Sequence, residues 1–85
     1  MSKPVKLLPK SKELRAIQWT AANLVEVEHF LSGYPVSNLH NCLRSTAFTG
    51  ICYMNDWIIL GDDGQFSIKD DEDIRRDFII MEMGD

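Results

Sequence analysis

In LRAIQWTAANLVEVEHFLSGYP, residues 14–35, a two-residue apolar period gives way to a helical one, which is then cut short. Arg15–Trp19 alternates, with Ile17 and Trp19 on one side and Ala16 and Gln18 on the other, the pattern of a strand burying one face. Thr20–Ala22 turns the chain, and from Asn23 the period changes. Leu24, Val27, Phe30 and Leu31 share a helical face, while Glu26 and His29 lie away from it. Asn23 and Glu26 have the spacing of a capping box, in which two side chains satisfy each other's orphan backbone N–H groups, and Ala22 and Val27 take the staple positions. Gly33 terminates the helix and Pro35 prevents its continuation. About two and a half turns remain, too few to persist in water without packing. The helix must lie on a sheet.

The rest of the chain supplies that sheet. Ser37–Asn41 offers polar turn candidates, and Leu43–Thr49 and Ile51–Met54 read as two strands or as one strand bent at Gly50. Trp57–Leu60 is a clearer strand; Gly61-Asp62-Asp63-Gly64 turns it back, and Gln65–Ile68 returns with Phe66 and Ile68 on one face, giving a hairpin. Asp70–Asp77 reads as a turn or one short helix, with Asp70 and Asp73 at cap spacing and Arg75 and Arg76 toward the C-terminal end, where cations suit the helix dipole. Phe78–Met81 is a final buried strand. The expected fold class is α+β: a small, mostly antiparallel sheet of four to five strands, packed with one amphipathic helix from the N-terminal half and a short acidic helix or turn. Residues 1–12, with Pro4, Pro9 and four lysines, read as a basic, partly flexible arm that touches the body through Val5, Leu7 and Leu8; residues 13–85 form a single domain.

A chain of 85 residues makes a small core whose apolar gain barely exceeds its ordering entropy, so both a stable monomer and a homodimer suit it. Its 45% apolar and 26% charged residues are those of an ordinary soluble globule. No window has the run of apolar residues that a membrane helix needs, and the lysine-bearing start lacks a signal-peptide core, so the expected location is the cytoplasm of the cell that makes it. Cys42 and Cys52 are then expected as free thiols. Charge is divided along the sequence: residues 1–25 carry a net +4, residues 26–55 −1 and residues 56–85 −7. Such polarity steers partners more than it shapes folds.

No catalytic constellation emerges. His29, His40, Cys42 and Cys52 are the conventional zinc ligand types, but only His40-x-Cys42 has short spacing. The acids around Gly61 and Gly64 fail an EF-hand template, because placing either glycine sixth puts Ile58 or Gly61 where the third oxygen ligand belongs. The same Gly-Asp-Asp-Gly segment lacks a P-loop lysine, and its aspartates repel phosphate. Trp19 and Trp57 sit in apolar strand patterns and read as core rather than as stacking platforms. Four dispersed lysines without a reading helix are a weak nucleic-acid signal, opposed by the acidic C-terminal half. No cofactor or metal is expected. What remains is a display of carboxylates, Asp62, Asp63, Asp70, Asp71, Glu72 and Asp73, suited to a basic partner surface or simply to solvent.

Several of these segments also carry a resemblance. Lys10–Glu13, Ala16-Ile17-Gln18-Trp19-Thr20, Asn23-Leu24 and Phe30-Leu31, followed by Asn55-Asp56-Trp57-Ile58-Ile59-Leu60-Gly61-Asp62-Asp63-Gly64-Gln65-Phe66 and Asp73-Ile74, resemble a family of small bacteriophage and prophage proteins. That family opens with a lysine-rich lead, a Q-W-T strand and an N-L-E-E-like helix, and later shows G-D-W-I-I-x-G-x-x-G-E-F. Here Asn55 stands for the usual glycine and Gln65 for the glutamate. The resemblance implies a phage gene product with no catalytic residue to carry across, of a kind that often acts by binding host or rival-phage machinery. The expectation is a noncatalytic accessory protein that binds a host or defence protein through its acidic face or an exposed sheet edge; the alternatives are a phage structural or assembly component forming homo-oligomers and, less favoured, a small enzyme.

Overall fold

A computed structural model describes residues 4–8 and 14–82. The elements run β1 (Val5–Leu8), β2 (Leu14–Gln18), α1 (Leu24–Phe30), β3 (Val36–Leu39), β4 (Cys42–Ser45), β5 (Trp57–Leu60), β6 (Phe66–Lys69), α2 (Asp71–Asp77) and β7 (Ile79–Glu82). Five strands form one sheet in the order β6-β5-β2-β1-β7, and β3 and β4 form a separate hairpin. Every pairing is antiparallel. The expected α+β class and sheet are what the chain forms.

The sheet has two apolar faces, each with its own cover. Strand alternation sends Ile17, Trp19 and Ile58 to one side, where they meet Val27, Phe30 and Leu31 around α1 and Leu43, Phe48 and Cys52 of the hairpin region. Leu60, Phe66 and Ile68 pack against this cluster. Ala16, Trp57 and Ile59 point to the other side with Val5, and there they meet Ile74 of α2, with Leu14 and Phe78 at the margin. Both tryptophans are core residues, Trp19 fully buried and Trp57 nearly so. Each buried indole N–H has a partner: Trp19 Nε1 donates to the Asn41 carbonyl at 2.7 Å, and Trp57 Nε1 to Asp71 Oδ1 at 2.9 Å.

Four expectations change. Val5–Leu8, read as part of an arm, is a strand between β2 and β7, with Val5 opposite Ala16 on one side and Glu82 on the other. Its two flanking prolines and lysines obscured an apolar segment that the sheet needs; residues 1–3 and 9–13 lie outside the described residues. Ser37–Asn41 is not one turn: Val36–Leu39 is β3, and only His40 and Asn41 make the turn, both at positive φ (53° and 62°). Two positive-φ residues are what a two-residue hairpin loop requires if its twist is to match the strands, and asparagine tolerates that region well. Leu43–Thr49 and Ile51–Met54 are not continuous strands either, since β4 ends at Ser45 and, in the second segment, Cys52 alone pairs. The Ser45 carbonyl accepts from Phe48 N and its hydroxyl from Ala47 N, curling the chain before Cys52 returns to pair with Leu43.

The fourth change concerns Asn23, which occupies the N-cap of α1 without a side-chain capping bond. Its amide is turned backward. Asn23 Oδ1 accepts from Thr20 N and Thr20 Oγ1, both at 3.0 Å, and Nδ2 donates to the Gln18 carbonyl at 2.8 Å. The side chain is 1% exposed, so these bonds satisfy a polar group inside the β2–α1 junction. The capping-box spacing with Glu26 is present, but the turn competes for the asparagine and wins.

Candidate functional site

The six carboxylates named from the sequence divide into two groups. Asp62 and Asp63 belong to the turn between β5 and β6, beyond the Leu60–Phe66 pair. Asp70–Asp73 follow β6, beyond the Trp57–Lys69 pair at its other end. Four strand residues separate them, about 10 Å at the usual rise, so they do not form one cluster.

Most of these carboxylates also serve the fold. Gly61 N donates to the Gln65 carbonyl at 2.8 Å, closing the turn, and Asp63 Oδ1 accepts from Gln65 N at 3.0 Å inside it. Gly64 supplies the positive φ of 82° that the turn needs. Asp70 caps α2 as its position suggests, its Oδ1 accepting from Asp73 N at 2.8 Å. Asp73 pairs with Arg76 at 2.7 Å, and Arg76 also binds Asp77. Asp77, then Asp73, raise the Arg76 guanidinium's affinity for its proton, while Arg76 holds the Asp77 carboxyl below its ordinary range.

Asp71 reaches beyond its own helix. Its Oδ1 accepts from Trp57 Nε1 at 2.9 Å and from Gln18 Nε2 at 3.2 Å, and its carboxylate pairs with Arg75 four residues on. Gln18 and Trp57 are register partners on β2 and β5, so one carboxylate joins two strands to the first turn of α2. The indole hydrogen bond, followed by that from Arg75, holds the Asp71 carboxyl below its ordinary value of 3.8 against the opposing effect of burial. Sequence reading identified Asp71 as an acid but not its partners. The signal was Trp57: a tryptophan in a core strand needs an acceptor for its N–H.

Glu72 is different, being exposed and making no hydrogen bond or ion pair among the described residues. Residues 70–77 hold five carboxylates and two guanidinium groups, so the α2 surface is acidic overall and Glu72 stands at its outer side.

The soft ligands are scattered. His29 is exposed on α1, His40 sits in the hairpin turn, Cys42 is half-buried and Cys52 is buried. Both cysteines are free thiols. Burial, with smaller contributions from Asp56 and Cys42, pushes the Cys52 thiol up to about 12, so it stays protonated and poorly nucleophilic at neutral pH. Among the described residues no three His, Cys, Asp or Glu side chains are placed to hold a metal ion, and no helix is long and apolar enough to cross a membrane. No family model, curated protein or solved structure matches the chain.

Proposed function

We propose that this is a noncatalytic phage accessory protein that works in the host cytoplasm by binding a host or defence protein through the acidic surface of α2. The observation that carries the reading is the Asp71 junction: Trp57, Gln18 and Arg75 hold the first turn of α2 onto the sheet, so the helix presents Glu72 and its neighbours in a fixed arrangement. A charged surface that is already ordered loses little freedom on binding and steers a complementary basic partner. The resemblance to phage and prophage proteins gives the biological setting, and the net charge of −7 over residues 56–85 gives the sign of the surface.

The structure also dictates the variant for the test. Asp70, Asp71 and Asp73 have internal roles, so reversing their charges would confuse binding with folding. Glu72→Lys breaks no bond among the described residues and costs only its first-turn preference for an acid, about 0.3–1 kcal/mol, which Glu72→Gln reads separately. Tagged full-length chain, captured from phage-infected or prophage-bearing cells, should bring down one stoichiometric partner, less of it at high salt and less with Glu72→Lys. A partner retained equally by both, or none, would defeat the reading. Self-assembly into phage structures is a second reading, favoured by β6 having a strand neighbour on one side only among the described residues, and it requires the protein in purified particles.

A further inference from the structure

Across the sheet from α2, the β3–β4 hairpin combines three features: an open strand edge, a groove at its foot and an isolated cation. The edge follows from hydrogen-bond alternation. Leu43 exchanges both backbone bonds with Cys52, N to O at 2.8 Å and O to N at 2.9 Å, so its polar groups point away from β3. Asn38, opposite Leu43, is therefore in a non-hydrogen-bonded pair, and its N–H and C=O point outward; Val36, two residues back, follows the same phase. Among the described residues β3 pairs with β4 alone, leaving these groups available.

The groove lies beside the start of that edge. It is a shallow, open depression of about 470 Å³ with an apolar lining from Pro35, Val36 and Phe48, and with Ser37, Arg44 and Thr46 also at its wall. Ser37 and Arg44 are register partners, so the guanidinium rises from the strand next to the edge. Arg44 is exposed and has no carboxylate partner among the described residues, whereas Arg75 and Arg76 are both paired. It is also the only Asp, Glu, Lys or Arg between Glu28 and Asp56, in a chain of net charge −4. An anionic occupant meets attraction here and repulsion over the C-terminal half.

We infer that β3 takes up an extended, acidic segment of another protein as an added strand. Its backbone bonds to Val36 and Asn38, one apolar side chain fills the groove over Phe48, and a neighbouring carboxylate reaches Arg44. Backbone bonds supply affinity in this mode of recognition, while pockets for particular side chains supply selectivity. The surface is separate from α2, so this inference and the proposed function stand or fall independently.

The probe is the capped peptide acetyl-Thr-Glu-Val-Glu-Thr-amide, titrated into full-length, isotope-labelled protein while amide resonances are followed. Saturable shifts are expected at residues 36–38 and 44–50. Arg44→Glu should weaken binding about tenfold or more, and Arg44→Gln by less, with the remaining spectrum unchanged. The lysine counterpart of the peptide should not bind, and methylating the peptide's backbone nitrogens should weaken it strongly. Absence of saturable shifts up to about 5 mM peptide, a millimolar limit chosen for weak segment binding, overturns the inference. So do shifts centred on α2, indifference to Arg44→Glu, equal binding of the lysine peptide, or full binding of the methylated one.

Discussion

At Asp71 one carboxylate receives donors from β2, β5 and its own helix, and its removal should be felt through the tryptophan. Asp71→Ala leaves the indole N–H of Trp57, a residue 4% exposed, without its acceptor. The expected loss is about 1–3 kcal/mol, the cost of stranding a buried donor, read from the urea midpoint and accompanied by a change in tryptophan emission. Asp71→Asn keeps an acceptor oxygen and should lose less. Acid provides the complementary measurement. Because its folded-state pKa lies below 3.8, Asp71 takes up a proton more readily in the unfolded chain. Its stabilisation is therefore complete above about pH 4, the unfolded carboxylate range, and drains away as pH falls through the lower folded value. Asp77, held down by Arg76, acts in the same direction. Urea midpoints taken down to about pH 2 should fall for the wild-type chain, and Asp71→Asn should make that fall shallower without abolishing it.

The element scale separates two accounts of α1. A capping box makes Glu26 and Asn23 comparably important; the observed bonds instead make Asn23 a tie between β2 and the helix start. Asn23→Ala should cost about 2–3 kcal/mol by stranding the Gln18 carbonyl and the Thr20 N–H, whereas Glu26→Ala should stay within about 0.5 kcal/mol, both measured by denaturant unfolding. Sequence showed where α1 begins because the period changes there, but local spacing cannot say which of two nearby sets of donors an asparagine will choose. β2, β5 and β6 were legible because each alternates or runs apolar over a buried face. The cap of α2 was legible for a similar reason, since Asp70 has no competing turn to serve. β3 was not: its Ser37, Asn38 and Leu39 are all exposed, so no apolar period marks it, and its pairing depends on the positive φ of His40 and Asn41. The six acids were legible as types but not as a site, because the length of β6 sets the distance between their two groups.

For the molecule as a whole, β1 changes how the N-terminal segment must be understood. An appended arm can be removed at little cost; a strand held between two others cannot. Deleting residues 1–8 takes Val5 out of the core cluster shared with Ala16, Trp57, Ile59 and Ile74, and leaves β7 without its only strand neighbour among the described residues. The shortened chain should lose its cooperative thermal transition in circular dichroism; retention of a sharp transition at the original temperature would restore the arm. The same pairing has a bearing on biosynthesis. Val5–Leu8 is made about seventy residues ahead of Ile79–Glu82, which completes its hydrogen-bond ladder, so the growing chain must wait with that ladder half-filled until the distant strand has followed.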